Sequence, residues 1–206
     1  MLHCRRACAC HWLYWAGEAI AHLMVSFDFG GQDYVAISIE TRKERTEGYS
    51  SIKGFFKQYE LIYVVADERD VIRLRTTYRQ PSEEVYLYRT RILQTQARRL
   101  FLDYVREINH LVEQPAFYNT LTTNCTTNIL FHARASGGVA RYNWKILLSG
   151  YAPAYAYEGG GLDTSLSFAD LKQRSHINAR AQAAGDAPDF SQRLRAGQPR
   201  PPPVSR

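Results

Sequence analysis

An alternating pattern of apolar and polar side chains near the start of the chain predicts a β-hairpin. The two segments are residues 21–29 (AHLMVSFDF) and 34–40 (YVAISIE), and between them lies Gly-Gly-Gln-Asp, a strong turn signal. Folding the chain about Gly31 determines which residues face one another across the strands. The pairs that follow are His22 with Glu40, Met24 with Ser38, and Ser26 with Ala36.

This register sorts the hairpin into two faces, because successive side chains of a strand point to opposite sides. One face is entirely apolar and carries Leu23, Val25, Phe27, Val35, Ile37 and Ile39. The other face is mostly polar and carries His22, Ser26, Ser38 and Glu40. A slip of one residue would mix the two sets, so their separation supports the register. We expect the apolar face to pack into the core and the polar face to be available to line a site.

Further strands and two helices are predicted beyond the hairpin. The strand segments are 62–66 (IYVVA), 71–76 (VIRLRT) and 85–88 (VYLY). Apolar residues recur at helical spacing over 94–112, which predicts a long helix. A second helix is expected over Cys125–Ala135, because Asn124 is a good N-cap residue and two glycines follow the segment.

The two ends of the chain look different from this regular middle. Residues 1–17 read as an irregular leader that contains Cys4, Cys8 and Cys10, and their spacing beside His11 matches no structural zinc pattern. Residues 179–206 are small, polar and finally proline-rich, which is typical of a disordered tail. The predicted division is therefore a leader at 1–17, one regular domain at 18–178 and a disordered tail at 179–206.

Composition and charge narrow the classes of partner. The chain has 206 residues, of which 45% are hydrophobic, and this is enough for one domain with a core. The formal net charge is +6, but both signs are interspersed and no basic run resembles a nucleic-acid arm, so we expect no nucleic-acid partner. No apolar stretch approaches the roughly 20 residues of a membrane span, and we recognise no signal-peptide pattern near the start.

Cys125 is the first candidate for chemistry. A cysteine directly after the N-cap Asn124 falls in the first helical turn, where exposed N–H groups and the helix dipole stabilise a thiolate or an oxyanion. Thr126 adds a polar group at this position, and Tyr118 lies shortly before it and can help to shape a substrate pocket. The alternative interpretation is a buried structural cysteine.

His22 supplies the base that a thiol nucleophile needs. Glu40 is predicted to lie opposite His22 and can hold the imidazole in the required tautomer, whereas Ser38 is a weaker candidate for that orienting role. The alternative is an ordinary cross-strand pair between His22 and Glu40. The sequence contains no His-Glu-x-x-His motif and no paired Cys-x-x-Cys motif, so we expect neither a metal nor another cofactor.

Several of these segments together resemble one protein family. They are AHLMVSFDF, VAISIETRKE, FFKQYELIYVVADERDVIRLRT, VYLY and YNTLTTNCTTNI, and they extend over most of the chain. The family that they resemble is the bacterial Lnb N-terminal periplasmic domain family. The resemblance implies an α+β, circularly permuted papain-like fold in which an antiparallel sheet packs against helices. In such folds the histidine lies on an early strand and the cysteine opens a later helix, which is the order of His22 and Cys125 here.

The resemblance also implies a function in the bacterial envelope. The family name refers to lipoprotein N-acyltransferases, so the expected reaction is acyl transfer from a phospholipid or lipoprotein to an amine through a thioester on Cys125. Its expected location is the periplasmic face of the envelope, close to the membrane surface, and Asn124, Thr126, Tyr118 and Ser38 are expected to contact the substrate. A thiol peptidase or amidase with the same residues, and a non-catalytic binding domain, remain as alternatives.

Overall fold

The computed structural model describes residues 6–14, 19–30, 33–42, 59–119, 122, 124–139 and 141–202. Its centre is a five-stranded sheet in which all neighbouring strands are antiparallel, in the order β4-β3-β2-β1-β5. The strands are β1 (Arg6–Tyr14), β2 (Ala21–Asp28), β3 (Tyr34–Arg42), β4 (Glu60–Asp67) and β5 (Glu84–Arg89). The protein is therefore an α+β protein with an antiparallel sheet.

Helices cover this sheet. They are α1 (Glu68–Arg73), α2 (Gln94–Glu113), α3 (Cys125–Ala135), α4 (Trp144–Leu147), α5 (Ala152–Glu158), α6 (Phe168–Ser175), α7 (Asn178–Ala184) and α8 (Phe190–Arg195). A π-helical turn, Leu74–Tyr78, continues α1, and a 3-10 turn, Ser149–Tyr151, precedes α5. None of the helices in the described ranges is both long enough and apolar enough to cross a membrane.

The predicted hairpin register is confirmed. Met24 pairs with Ser38 and Ser26 pairs with Ala36 across β2 and β3. The strands expected at 62–66 and 85–88 and the helices expected at 94–112 and Cys125–Ala135 are also present. These elements have strong local signals, because alternation or helical spacing of apolar side chains is itself the cause of the packing that holds them.

Both faces of the sheet are buried, which corrects the expectation that one face of the hairpin is free to line a site. Leu23, Val25 and Phe27 pack against α2 and α3 in a first core. The opposite face contributes Met24 and Ala36 to a second core, which α1, α7 and α8 complete. Only the end of the polar face that carries His22 and Glu40 keeps contact with solvent.

The expectation of an irregular leader at 1–17 was wrong for residues 6–14. These residues form β1, which lies between β2 and β5 and is hydrogen-bonded on both edges. Trp12 and Leu13 are buried on opposite faces of the sheet, in the first and second core. A strand that is buried on both faces has no apolar-polar alternation, so its pattern gave no signal. Cys4 lies outside the described residues.

The prediction of a disordered tail at 179–206 was also wrong over the helices α7 and α8. The segment is rich in alanine, which has the highest helix propensity, and its few large apolar side chains are buried. Ala181, Phe190 and Leu194 belong to the second core. The last four residues, 203–206, lie outside the described ranges.

A buried polar cluster ties α8 to the centre of the sheet. Arg195 donates to both carboxylate oxygens of Glu68, at 2.6 and 2.7 Å, and Ser26 donates to the same carboxylate at 2.6 Å. The Nε2 atom of His11 lies 2.9 Å from Glu68 Oε1. The polar positions His11 and Ser26 therefore satisfy a buried ion pair rather than line an open site.

The strand expected at 71–76 was wrong, since this segment is helical. Its β-branched and long apolar residues favour a strand by propensity, but Asp67 caps a helix there by accepting from the N–H of Arg69 at 2.8 Å. Val71 and Ile72 then pack into the second core. The π-helical turn that follows turns Arg75 inward, where its side chain is buried.

Candidate functional site

Cys125 is the first residue of α3, as the sequence predicts. Asn124 caps the helix in an extended conformation, and its Oδ1 accepts from the N–H of Thr127 at 2.8 Å. Thr127 Oγ1 in turn accepts from the N–H of Asn124 at 2.9 Å, which completes a reciprocal cap. This cap holds Cys125 in the first turn, where the helix dipole favours a negative charge.

His22, Ser38 and Glu40 form one hydrogen-bonded group at the edge of the hairpin. The Nε2 atom of His22 lies 2.6 Å from Ser38 Oγ and 3.1 Å from Glu40 Oε1. Ser38 Oγ donates to Glu40 Oε1 at 2.7 Å. Because the hydroxyl proton of Ser38 goes to Glu40, the Ser38 oxygen is left to accept from Nε2–H of His22. Both close contacts use Nε2, and Nδ1 is the nitrogen that remains for another partner.

His22 also interacts with the side chain of Cys125, through a hydrogen bond and through charge. Burial alone raises the pKa of the Cys125 thiol, but the hydrogen bond and charge of His22 outweigh it. The N–H of Leu23 and the hydroxyl of Thr126, which is 3.8 Å from Sγ, add smaller contributions. The pKa of Cys125 therefore lies below its ordinary value, and the thiolate is favoured.

The imidazole and the carboxylate of the site stabilise each other as ions. Burial tends to lower the pKa of His22, but the charge of Glu40, together with hydrogen bonds to Cys125 and Glu40, raises it to about 10. Burial tends to raise the pKa of Glu40, but His22 and then Arg75 hold it well below its usual range. The contacts of the site thus favour the charged form of all three groups, Cys125, His22 and Glu40.

Sequence reasoning missed Arg75. Its Nη2 donates to Glu40 Oε1 at 2.9 Å, and its Nε lies 3.5 Å from Glu83 Oε2. Arg75 is 35 residues from Glu40 in the chain. It lies in a segment whose propensity predicts a strand, so no local pattern pointed to this contact.

Comparison with known proteins adds one finding. A family model described as the Lnb N-terminal periplasmic domain matches residues 9–150, about two thirds of the chain. The chain belongs to this family. Neither the comparison with curated proteins nor the comparison with solved structures found a match. The matched region contains His22, Glu40, Arg75 and Cys125, so every residue of the group just described lies within the Lnb N-terminal domain.

The family is one of periplasmic domains, and the Lnb N-terminal domain described here is accordingly a domain of the periplasmic side of the envelope. The match begins within β1 and extends over β2 to β5, whereas α5, α6, α7 and α8 follow it. The second core, which α7 and α8 help to build, is therefore shared between the matched region and the residues after it.

Access to the site of the Lnb domain is uneven. Cys125 is only 6% exposed, whereas the side chains of His22 and Glu40 are 16% and 32% exposed. Solvent therefore reaches the group from the side of the histidine and the glutamate. The sulfur is shielded by the first core, of which Cys125 is a member.

The four residues expected to contact substrate in the Lnb domain have defined structural partners. Asn124 caps α3, Ser38 links His22 to Glu40, and Thr126 is buried beside Cys125. Tyr118 is a member of the first core, and its backbone N–H donates to the carbonyl of Tyr59 at 2.8 Å. Ser38 thus contacts His22 directly, although the sequence favoured Glu40 over Ser38 for the orienting role.

The other histidines of the described ranges lie in separate groups. His132 is held between Asp103 and Tyr63, each at 2.8 Å, and His176 lies 2.6 Å from Glu84. His110 is exposed on α2. Among the described residues, no three His, Cys, Asp or Glu side chains are grouped closely enough to hold a metal ion.

Proposed function

We propose that this domain is a cysteine-dependent acyltransferase of the bacterial envelope, which transfers an acyl group from a lipid donor to the amine of a lipoprotein through a thioester on Cys125. The observation that carries the proposal is the hydrogen bond between Cys125 and His22, with His22 held by Ser38 and Glu40. A nucleophile, a base and an orienting carboxylate are the three parts of a thiol acyl-transfer site.

The proposal includes a circularly permuted papain-like arrangement. Two features support it: the histidine precedes the cysteine in the chain, and the cysteine opens a helix that packs on the strands carrying the histidine and the carboxylate. The antiparallel sheet and the helix with Cys125 at its first residue are the elements that such an arrangement needs.

The first chemical step is formation of the acyl-enzyme. The Cys125 thiolate attacks the ester carbonyl carbon of the lipid, a C–S bond forms, and the ester C–O bond breaks. The leaving alcohol oxygen takes its proton from the His22 imidazolium. The N–H groups of the first turn of α3 face the carbonyl oxygen on which negative charge develops, and they stabilise that charge.

The second step regenerates the thiolate. The acceptor amine attacks the thioester carbonyl, and neutral His22 takes a proton from the amine as the C–N bond forms. The C–S bond then breaks, so the amide leaves and the thiolate and imidazolium return. Glu40 and Ser38 keep Nε2–H in place throughout both steps, so that Nδ1 is always the nitrogen that exchanges the proton.

Exposed apolar side chains beside the site support a lipid substrate. Trp144 is 57% exposed and contacts Tyr151, with ring centroids 5.4 Å apart. Leu148 and Ile20 are also exposed, and Ile20 comes two residues before His22. Tryptophan and tyrosine are enriched at membrane–water interfaces, because each has an apolar ring and a polar group.

Backbone hydrogen bonds join this apolar segment to the strand that carries the base. Gly150 N–H donates to the carbonyl of Ala19 at 3.1 Å, and Ala21 N–H donates to Ser149 Oγ at 2.9 Å. The exposed aromatic residues of 144–151 are thereby attached to the start of β2. A lipid that touches them is close to the reacting group.

Two other functions, a thiol hydrolase and a non-catalytic envelope domain, are each supported by a feature of the site. A thiol hydrolase would use the same residues, with water in place of the amine in the second step. A non-catalytic envelope domain is favoured by the low exposure of Cys125, 6%, because an inert structural cysteine is usually buried. The experiment below separates all three.

The test is to trap the acyl-enzyme. The protein is incubated with vesicles of a labelled phospholipid, and intact-mass spectrometry is used to look for an acyl adduct that hydroxylamine removes. We expect the adduct in the wild type, at Cys125 by peptide mapping, and not in Cys125→Ser or His22→Ala. Cys10→Ser is the matched control, because burial raises the pKa of the Cys10 thiol to about 12 and leaves it unreactive.

The later fate of the adduct distinguishes the reactions. Addition of a lipopeptide with a free amino terminus should give an N-acyl product, whereas a hydrolase gives free fatty acid at the same rate with or without the amine. An absence of any adduct, together with alkylation of Cys125 no faster than that of a free cysteine, would contradict both and favour the non-catalytic domain.

A further inference from the structure

We infer that Arg75 is a positioning residue of this site, which holds the Glu40 carboxylate against His22 from a π-helical turn. The inference rests on the proposed function, because it concerns the state of the Cys125–His22 pair. Neither the family description nor the sequence pattern assigns a role to this arginine.

The contacts of Glu40 are the first argument. Three groups converge on its Oε1 atom: Ser38 Oγ at 2.7 Å, Arg75 Nη2 at 2.9 Å and His22 Nε2 at 3.1 Å. Two of these groups belong to the hairpin, and Arg75 approaches from outside it. A carboxylate that is 32% exposed would otherwise be free to turn towards water, and Arg75 removes that freedom.

The second argument is that Arg75 is itself held in place. Its side chain is 5% exposed, its Nη1 donates to the carbonyl of Val71 at 3.3 Å, and its Nε faces Glu83. Arg79 pairs with the far side of Glu83. The guanidinium thus has two neighbours besides Glu40, the Val71 carbonyl and the Glu83 carboxylate, and these hold it in the orientation that a positioning residue needs.

The third argument concerns the turn itself. Leu74–Tyr78 forms a π-helical turn directly after α1, and such turns are rare and frequently occur at functional sites. The extra residue per turn directs Arg75 and Thr76 into the protein, where Thr76 Oγ1 donates to the carbonyl of Ile72 at 3.0 Å. The π-helical turn thus brings Arg75 within hydrogen-bond distance of Glu40 in the hairpin.

Charges alternate along the whole group. In the charged forms that their contacts favour, the order is Cys125 thiolate, His22 imidazolium, Glu40, Arg75, Glu83 and Arg79. Two effects of Arg75 on the imidazolium oppose each other. Its own positive charge disfavours the imidazolium, whereas its hold on Glu40 favours it, and the sign of the net effect can be measured.

The experiment measures the rate of Cys125 alkylation by iodoacetamide as a function of pH, in the wild type, Arg75→Met and Arg75→Lys. If Arg75 positions Glu40, Arg75→Met frees the carboxylate and weakens the imidazolium, and the acidic limb of the profile moves up by about one pH unit. The rate at pH 6 then falls about tenfold. Arg75→Lys keeps the charge without the planar guanidinium, so its acidic limb should lie between those of the wild type and Arg75→Met.

The opposite or a null result overturns the inference. If the charge of Arg75 acts alone, its removal raises the pKa of His22, which NMR titration of the ring measures, whereas loss of a positioned Glu40 lowers that pKa. If the pair with Glu83 is merely structural, neither the His22 pKa nor the acidic limb moves in folded protein. Arg69→Met, a substitution at a more exposed arginine on α1, is the matched control and should leave the profile unchanged. Should Arg75→Met fail to fold, Arg75→Lys alone decides, since an unshifted limb in that variant contradicts fixation by the guanidinium fork.

Failure of the proposed function gives a different result. A wild-type profile like that of a free cysteine would contradict the thiolate–imidazolium pair and with it the acyl-transfer proposal. If the acidic limb of the wild type lies at low pH and Arg75→Met does not move it, only the role of Arg75 is contradicted.

Discussion

At the scale of single residues, the site depends on one oxygen atom. Glu40 Oε1 accepts hydrogen bonds from Ser38 and Arg75 and lies next to His22 Nε2. The carboxylate therefore determines both the tautomer and the charge of the imidazole. Removing that charge while keeping the shape is therefore the most informative single change.

Glu40→Gln should lower the pKa of His22 from about 10 by at least one pH unit, because an opposite charge at this distance typically shifts a pKa by about 1–3 units. The pKa is followed by NMR titration of the His22 ring, with Glu60→Gln as control, because Glu60 forms an exposed ion pair with Arg42 instead of contacting His22. An unchanged His22 titration in Glu40→Gln would contradict the assigned pairing.

The same change has a predicted pH dependence of stability. The raised pKa of His22 contributes stability that is complete below its ordinary 6.5 and is lost as the pH rises through about 10. The lowered pKa of Glu40 contributes stability above its ordinary 4.5 that is lost at lower pH. The difference in melting temperature between wild type and Glu40→Gln should therefore be largest between these two ordinary values.

At the scale of elements, the cap of α3 connects stability with reactivity. Asn124→Ala removes the acceptor for Thr127 N–H and should cost about 1 kcal/mol of unfolding free energy, measured by urea denaturation. It should also slow alkylation of Cys125, because the first turn loses order. Asn143→Ala removes the equivalent cap of α4, and equal slowing of alkylation in that variant would contradict a specific role for the Asn124 cap.

The elements also show what the sequence can and cannot predict. The hairpin register and the pairing of His22 with Glu40 followed from alternation, and the position of Cys125 at a helix start followed from Asn124. β1 was missed because it is buried on both faces and so lacks alternation. The helical segment around Arg75 was missed because tertiary packing of Val71 and Ile72 overrides their strand propensity.

At the scale of the whole molecule, the fold extends past the family match. The matched region ends at residue 150, yet α7 and α8 cover the second face of the sheet and Arg195 pairs with the buried Glu68. Sequence composition predicted disorder here because alanine-rich, weakly apolar helices resemble a polar tail. Their order comes from a few buried side chains and one ion pair, whose partners are distant in sequence.

Phe190→Ala tests this extension. Phe190 is almost fully buried in the second core, so its truncation should cost about 3–5 kcal/mol of unfolding free energy. Urea denaturation measures the loss, with the exposed Leu102→Ala expected to change stability by less than about 0.5 kcal/mol. A loss for Phe190→Ala no larger than that for Leu102→Ala would show that residues 178–195 are not part of the folded unit.

The central claim is that Cys125 is a thiolate paired with a His22 imidazolium. The most direct test is the pH dependence of Cys125 alkylation in wild type and His22→Ala. We predict a wild-type acidic limb well below the value of about 8.5 for a free cysteine, and a His22→Ala limb at or above that value, since burial is then opposed only by the smaller contributions of Leu23 and Thr126. Coincident profiles for the two proteins would contradict the pair and the function built on it.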